Sequence, residues 1–338
     1  MYQIKQIPTD FIVREVTTLK KTTWGSHTYI LLKKKEKTTL DAVLELAKVL
    51  GLREKDIGFA GTKDRNATTQ QYLSLKGVFT PQQLAITLAH AEISFVGYGE
   101  EPLSLGDLKG NNFEIVVRNL LEQKIKLISS IPNYFDEQRF SEHNVEVGRH
   151  LIKKEFYQAC ELVDKQKFFD HVQKKGHDYV GFLKTFPLRL LRLYVNAYQS
   201  YLWNELVSKY LQMRGRVQKE VTYSEGRLVF VENNEMFSSF KIPLLGYLTD
   251  LDEISEDLKP LILEILTTEN ISLEDFIIRQ IPTLSLEGEE RNLIVFVADF
   301  TFSEFEDDDL HVGMKKVTLR FFLPKGSYAT IVVKALFS

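Results

Sequence analysis

DIGFAGTKDRNATTQQYLSL, residues 56–75, reads as strand, loop, strand. Asp56 to Ala60 is a short run of small and apolar residues, and Gln71 to Leu75 alternates as a second strand. Between them Gly58, Ala60 and Gly61 give a permissive backbone, and Lys63-Asp64-Arg65 packs three charges together before β-branched residues return at Thr68-Thr69. A loop of this composition, joining two strands inside a core sheet, places one charged group deliberately.

Working outward, Phe11-Ile12-Val13 and Thr28 to Leu32 are β-branched and aromatic runs that predict strands. Thr38 with Asp41 three residues on predicts a capped helix, with Leu40, Val43, Leu44 and Ala47 at helical spacing and Gly51 as its stop. Pro81 to Ala91 reads as a further helix, Lys109 to Asn112 as a turn, and Phe113 to Val117 as a strand. A long helix is predicted from Pro187 to Met213, and the chain is expected to close on two strands, Lys316 to Phe322 and Tyr328 to Lys334, around a Pro324-Lys325-Gly326 turn. Strands and helices mix without a regular βαβ rhythm, which favours an α+β fold over a doubly wound one.

At 338 residues and 44% hydrophobic content the chain has material for one large or two ordinary domains. Residues 217–290 turn acidic, with short strands such as Gly226 to Phe230 and an acid-rich helix near Asp252 to Thr267, and read as an insertion. The expected division is 1–150 with 291–338 as one domain and 151–290 as an inserted α+β subdomain. The single cysteine, Cys160, excludes an internal disulfide and a multi-cysteine metal site. The start lacks the apolar segment of a signal peptide, and the run Leu293 to Ala298 is too short to span a bilayer, so a soluble cytoplasmic protein is expected.

Net charge is −3, from 43 Lys or Arg and 46 Asp or Glu, but the charges separate along the chain. Residues 251–300 hold three basic residues against twelve acids, whereas basic clusters lie at Lys33, Lys34, Lys35 and Lys37, at Lys153 and Lys154, and around Lys184, Arg189 and Arg192. Such clusters suit phosphate binding by a local face, with the acidic stretch turned away.

The loop fails the phosphate-binding patterns: Gly58 and Gly61 are too close for a Walker loop, and Asp64 directly follows Lys63 where the guanine-reading pattern needs a spacer. The seven histidines are dispersed without His-x-x-x-His, and no Gly-x-Ser-x-Gly elbow is present. Asp64 beside Lys63 and Arg65 reads either as an ionised carboxylate nucleophile or as an ordinary turn aspartate. IPNYFDEQRF, residues 131–140, interleaves rings with Asn, Gln and Arg; it reads as a base-binding surface that includes Asn133 and Phe135, or as an aromatic core edge. Gly326 to Thr330 surrounds one ring, Tyr328, with small residues.

The order DFIVRE, GFAGTKDRNATTQ, LKGNNF, IPNYFDEQRF and LRFFLPKGSYATIVVK resembles the TruD family of tRNA pseudouridine synthases, most weakly at about 145–185 and 215–285. The resemblance implies a mixed, largely antiparallel sheet of the pseudouridine synthase catalytic type. It also implies a cofactor-free, metal-free isomerase that detaches a uracil of tRNA from its ribose, turns it and rejoins it through carbon, with uridine 13 as the target. Asp64 matches the family's nucleophile and Lys5 the lysine that pairs with it, while Phe11, Asn133 and the ring of Tyr328 match groups that contact the target uridine. A flipped base needs rings and an amide to replace lost stacking and pairing, and these residues supply both. A tRNA partner, no membrane and a monomer without obligate protein partner are expected. A tRNA chaperone using the same cleft and an aspartate-dependent nucleosidase are the competing readings.

Overall fold

The computed structural model describes residues 2–338. By contacts the chain divides into two compact units, Met1–Ser129 with Phe296–Ala329 and Leu336–Ser338, and Ser130–Val295 with Thr330–Ala335.

The first unit opens with β1 (Phe11–Val16) and β2 (His27–Lys34), then α1 (Thr39–Leu50), β3 (Ile57–Phe59), β4 (Thr68–Lys76), β5 (Ala91–Gly99) and β6 (Gly110–Leu120). The α1 cap forms as its sequence dictates: Asp41 N donates to Thr38 Oγ1 at 3.1 Å, and Thr38 N donates back to Asp41 Oδ2. Gly51 ends the helix at φ +68°, a left-handed conformation that suits glycine.

The second unit holds β7 (Ser130–Pro132), α2 (Glu137–Phe140), α3 (Asn144–Ile152), α4 (Phe156–Lys175), α5 (Tyr179–Leu183) and α6 (Leu188–Arg214). The strands β8 (Val217–Tyr223), β9 (Gly226–Val231) and β10 (Lys241–Leu244), the helix α7 (Lys259–Glu269), and β11 (Glu289–Asn292) and β12 (Ile294–Phe296) follow. The central element is α6, which begins just after Pro187 and packs against α3 and β9 while burying Trp203, Tyr198 and Tyr210. Because α3 packs on α6, the contact division falls after Ser129, whereas the sequence pointed to a boundary near 150.

The chain then returns to the first unit with β13 (Ala298–Phe302), β14 (Glu306–Asp307) and β15 (Lys315–Pro324), and ends in α8 (Ala329–Phe337), whose Thr330–Ala335 belongs to the second unit. The nine-stranded sheet runs β13-β15-β6-β1-β4-β2-β5, with β3 on β4 and β14 on β15. β1 and β4 are parallel, and the other pairs are antiparallel. Both ends of the chain therefore build one sheet. Its α1 side is a dry core of Ile30, Leu32, Val43, Leu46, Ile57, Leu73 and Leu75, the main source of stability for this part of the unit.

Expected elements differ in four places: β6 begins at Gly110, so Lys109 to Asn112 is mostly strand and not a turn, and the acid-rich helix expected near Asp252 to Thr267 begins only at Lys259, as α7. Pro81–Ala91 is a set of turns leading into β5, since Thr80 caps a single turn through Gln83 N and the chain then straightens. Tyr328 to Lys334 is not a strand: Ala329 onward is α8. Its sequence ATIVVKALF is apolar almost all round, and a short apolar run of this kind does not tell a buried strand from a buried helix.

Candidate active site

β3 and β4 are antiparallel neighbours, and the loop between them carries Asp64. Gly58 is required there by close approach: a Cβ would lie 2.3 Å from the Leu103 carbonyl oxygen. The loop main chain is then fixed by polar partners at Ala60, Gly61, Lys63 and Asp64. Ala60 O accepts from Gly106 N at 2.9 Å, and Gly61 O accepts from Gln71 Nε2 at 3.1 Å. Lys63 N donates to Thr39 Oγ1 at 2.8 Å, and that hydroxyl donates to Gln71 Oε1 at 2.7 Å. The Lys63 ammonium points inward to Glu15 Oε2 at 2.9 Å, with the Glu15 side chain fully buried. Beneath the turn, Lys34 Nζ donates to Asp64 O at 2.9 Å, Lys63 O at 3.3 Å and Lys37 O at 2.7 Å. A turn so pinned holds its side chain in one direction.

The Asp64 carboxylate is half-buried, and Lys5 Nζ donates to its Oδ2 at 3.0 Å. Lys5 is a non-glycine residue at φ +58°, strain on the order of 1 kcal/mol that persists where surroundings over-determine the backbone. Its ammonium also lies 4.4 Å from the centre of the Phe11 ring, which is 4% exposed and packs edge-on to Phe113. Phe11 is thus a floor under the ion pair. The two cations adjacent to Asp64 in sequence pair with other carboxylates, Lys63 with Glu15 and Arg65 with Asp41 at 3.2 Å, and the ammonium hydrogen-bonded to the Asp64 carboxylate is that of Lys5, 59 residues away.

Tyr328 follows the turn between β15 and α8, where Gly326 adopts φ +81°. Lys325 Nζ donates to Gly106 O at 2.9 Å, and Gly106 N donates to Ala60 O at 2.9 Å. One residue, through its two neighbouring peptides, thus ties the Asp64 loop to the Tyr328 turn.

Asn133 and Phe135 lie in the second unit and are almost fully buried. Arg291 Nη2 donates to both Asn133 O and Asn133 Oδ1 at 2.8 Å, while Asn133 Nδ2 donates to Asn292 O at 3.2 Å. The Arg291 guanidinium stacks 4.1 Å from the Phe135 ring centre, and Asn204 brackets the Phe135 main chain with two hydrogen bonds. Tyr134 and Phe140 are core residues, as an aromatic core edge would have them. Burial raises the Tyr134 phenol well above its usual range.

In the sequence Lys34 reads only as one of a surface lysine cluster, and Glu15 and Arg291 have no assigned part in the site, yet period-2 alternation carries the first two. Thr28, Ile30 and Leu32 point inward and Lys34 continues the stripe at 1% exposure; Phe11 and Val13 do the same and Glu15 continues theirs. Lys34 is therefore no phosphate ligand, and Lys37 is held by Glu45 and Ala89 O, which leaves Lys33 and Lys35 as the exposed members of that cluster.

With this geometry in place, the comparisons identify the class and then the family. A crystal structure titled a putative tRNA pseudouridine synthase D (TruD), from Methanosarcina mazei, matches with a TM-score of 0.71 at 24% identity, covering 99% of this chain and 93% of that one. The fold is therefore the mixed, largely antiparallel α+β fold of that structure. The family model for tRNA pseudouridine synthase D (TruD) matches residues 2–164 and 161–336. "Probable tRNA pseudouridine synthase D 2" of Methanocaldococcus jannaschii is 30% identical over 393 residues, covering 99% of this chain and 91% of the relative. "tRNA pseudouridine synthase D" of Leptospira interrogans is 28% identical over 397 residues, covering 99% and 96%. The chain belongs to the TruD family of tRNA pseudouridine synthases.

Proposed function

We propose that this chain converts a uridine of tRNA, uridine 13, to pseudouridine with Asp64 as nucleophile. The observation that carries the reading is the Lys5–Asp64 ion pair at 3.0 Å on a turn whose main chain is pinned by buried donors and acceptors. The Lys5 ammonium holds the carboxylate oxygen in a fixed direction for attack. Asp64 bonds covalently to the uridine and the bond between N1 and the ribose carbon breaks; the base turns, C5 bonds to that ribose carbon, the bond to Asp64 breaks to restore the carboxylate, and C5 loses a proton to solvent while N1 takes one up. Atoms balance without cofactor, metal or net redox change.

In the first unit, which we assign to catalysis, Lys5 holds the carboxylate, Phe11 supports Lys5 from below, and the Tyr328 ring faces the flipped base. In the second unit, the inserted part of the fold, Asn133 and Phe135 bind the target uridine with Arg291 holding both. The exposed Lys33 and Lys35 contribute to phosphate binding, so affinity for tRNA falls as salt rises. The protein works as a monomer in the cytoplasm. Among the described residues no helix is long and apolar enough to cross a membrane.

The test uses tRNA carrying tritium at uridine C5. Wild type releases tritium and leaves an intact chain with pseudouridine, and Asp64→Asn releases none. Abasic sites in place of pseudouridine would make the chain a nucleosidase, and binding without release would make it a chaperone. Equal release by Asp64→Asn would remove Asp64 from its role.

A further inference from the structure

A buried lysine needs a reason. Lys34 sits at an inward position of β2, and its three ammonium donors meet three main-chain carbonyls, those of Lys37, Lys63 and Asp64. Each of these hydrogen bonds goes to a peptide oxygen and none to a carboxylate. An ammonium buried without a hydrogen-bonded counter-ion is costly, and an apolar residue would continue the Thr28, Ile30, Leu32 stripe more cheaply. What the ammonium achieves and an apolar residue cannot is to gather the carbonyls of Lys63 and Asp64 toward one point beneath the turn. Carbonyls drawn inward leave the Asp64 side chain directed outward, toward the Lys5 ammonium.

We propose that Lys34 is the positioning residue for the Asp64 nucleophile, fixing the turn from below by clamping the two carbonyls that flank the Asp64 amide and Cα. This rests on the reading of Asp64 as nucleophile. The charged groups that face Lys34 are Asp64 and Lys63 from the loop and Asp41 from α1. Burial lowers the Lys34 ammonium to about 8, against the opposing pull of Asp64 and Asp41. Function and fold then part company on the alkaline side. The unfolded chain holds this proton more tightly than the folded one, so between pH 8 and its ordinary value of 10.5 the folded state gains stability as pH rises. The clamp loses a donor and its charge in the same interval.

The experiment measures single-turnover tritium release with enzyme in excess over C5-tritiated tRNA, together with tRNA affinity and melting midpoint. Lys34→Met is expected to slow the single-turnover rate about 100-fold, the scale of an ångström-level misplacement of a reacting group. Its tRNA affinity stays within about threefold of wild type and its melting midpoint does not fall, since a buried charge has been removed. In wild type the rate declines above about pH 8 while the protein stays folded. A rate for Lys34→Met within about threefold of wild type overturns the proposal. If Lys34→Met does not fold, the wild-type profile decides: a rate that holds level to pH 9.5 overturns it, and a decline with intact fold supports it. Asp64→Asn separates the two readings. If that variant is inactive and Lys34→Met is near wild type, the positioning role alone fails; if Asp64→Asn is active, the nucleophile reading fails first.

Discussion

Replacing Glu15 by leucine strands the Lys63 ammonium. The two groups lie 2.9 Å apart with side-chain exposures of 0% and 9%, in the layer beneath the Asp64 loop. At that distance and an effective dielectric near 20 their attraction is about 6 kcal/mol, most of which offsets the cost of taking both charges from water. Removing one partner keeps the cost for the other, and the expected loss is about 3–5 kcal/mol. For a body of this size each kcal/mol moves the melting midpoint by about 2–4 °C, so Glu15→Leu should melt about 6–20 °C lower. Lys63→Met should lose somewhat less, because the Glu15 carboxylate keeps the Tyr72 N–H at 3.4 Å. The double variant should recover most of the loss, since two apolar side chains fill the site without a stranded charge. Thermal melts of all four proteins by circular dichroism form a double-mutant cycle. A Glu15→Leu midpoint within about 2 °C of wild type, or a double variant as unstable as the two single losses added together, would refute the view that burial makes this pair matter.

Arg118 donates to the buried Asp10 and Asp308 and to Asp309, so Arg118→Met should cost about 3–5 kcal/mol by leaving two buried carboxylates without their cation, read by the same melts. Burial works against ionisation of Asp308, but the N–H groups of Leu310 and Asn119 and the Arg118 guanidinium outweigh it and hold the group below its usual range. That contribution is present above the ordinary carboxylate value and is lost as pH falls below it, so a pH series should show Arg118→Met, which keeps only the Leu310 and Asn119 N–H groups, gaining less from the neutral range than wild type does. Arg291→Lys keeps the charge but cannot bridge Asn133 O and Oδ1 while stacking on Phe135, and kcat/KM for tRNA should fall about tenfold. Unchanged kcat/KM would detach Arg291 from the Asn133 role.

Much of the sheet was legible because its strands alternate and α1 is capped by residues with a mechanism, Thr38, Asp41 and Gly51. α8 was not, since a nine-residue run that is apolar almost throughout carries no period that distinguishes helix from strand. Within the candidate site Asp64 stood out locally, whereas the cation that pairs with it is 59 residues away and came only from resemblance. Lys34 hid inside a lysine cluster that composition alone reads as surface. Its place in the alternation of β2, not its charge, shows that it faces inward, and Arg291 has no local pattern at all because its partners are Asn133 and Phe135, far back in the chain.

The strand order also imposes a sequence of events on synthesis. β6 pairs on one side with β1, already made, and on the other with β15, the last strand of the chain. Until Lys315–Pro324 emerges, an eleven-residue strand carrying Phe113, Ile115 and Val117 has an open hydrogen-bonding edge. At ordinary elongation rates the interval is roughly 10–40 s, long enough for an unpaired edge to find another nascent chain. The first unit is therefore dependent on its own C-terminus for protection against aggregation. A chain stopped before residue 315 should be recovered from cells as insoluble material even though every residue from Lys5 to Asp64 is present.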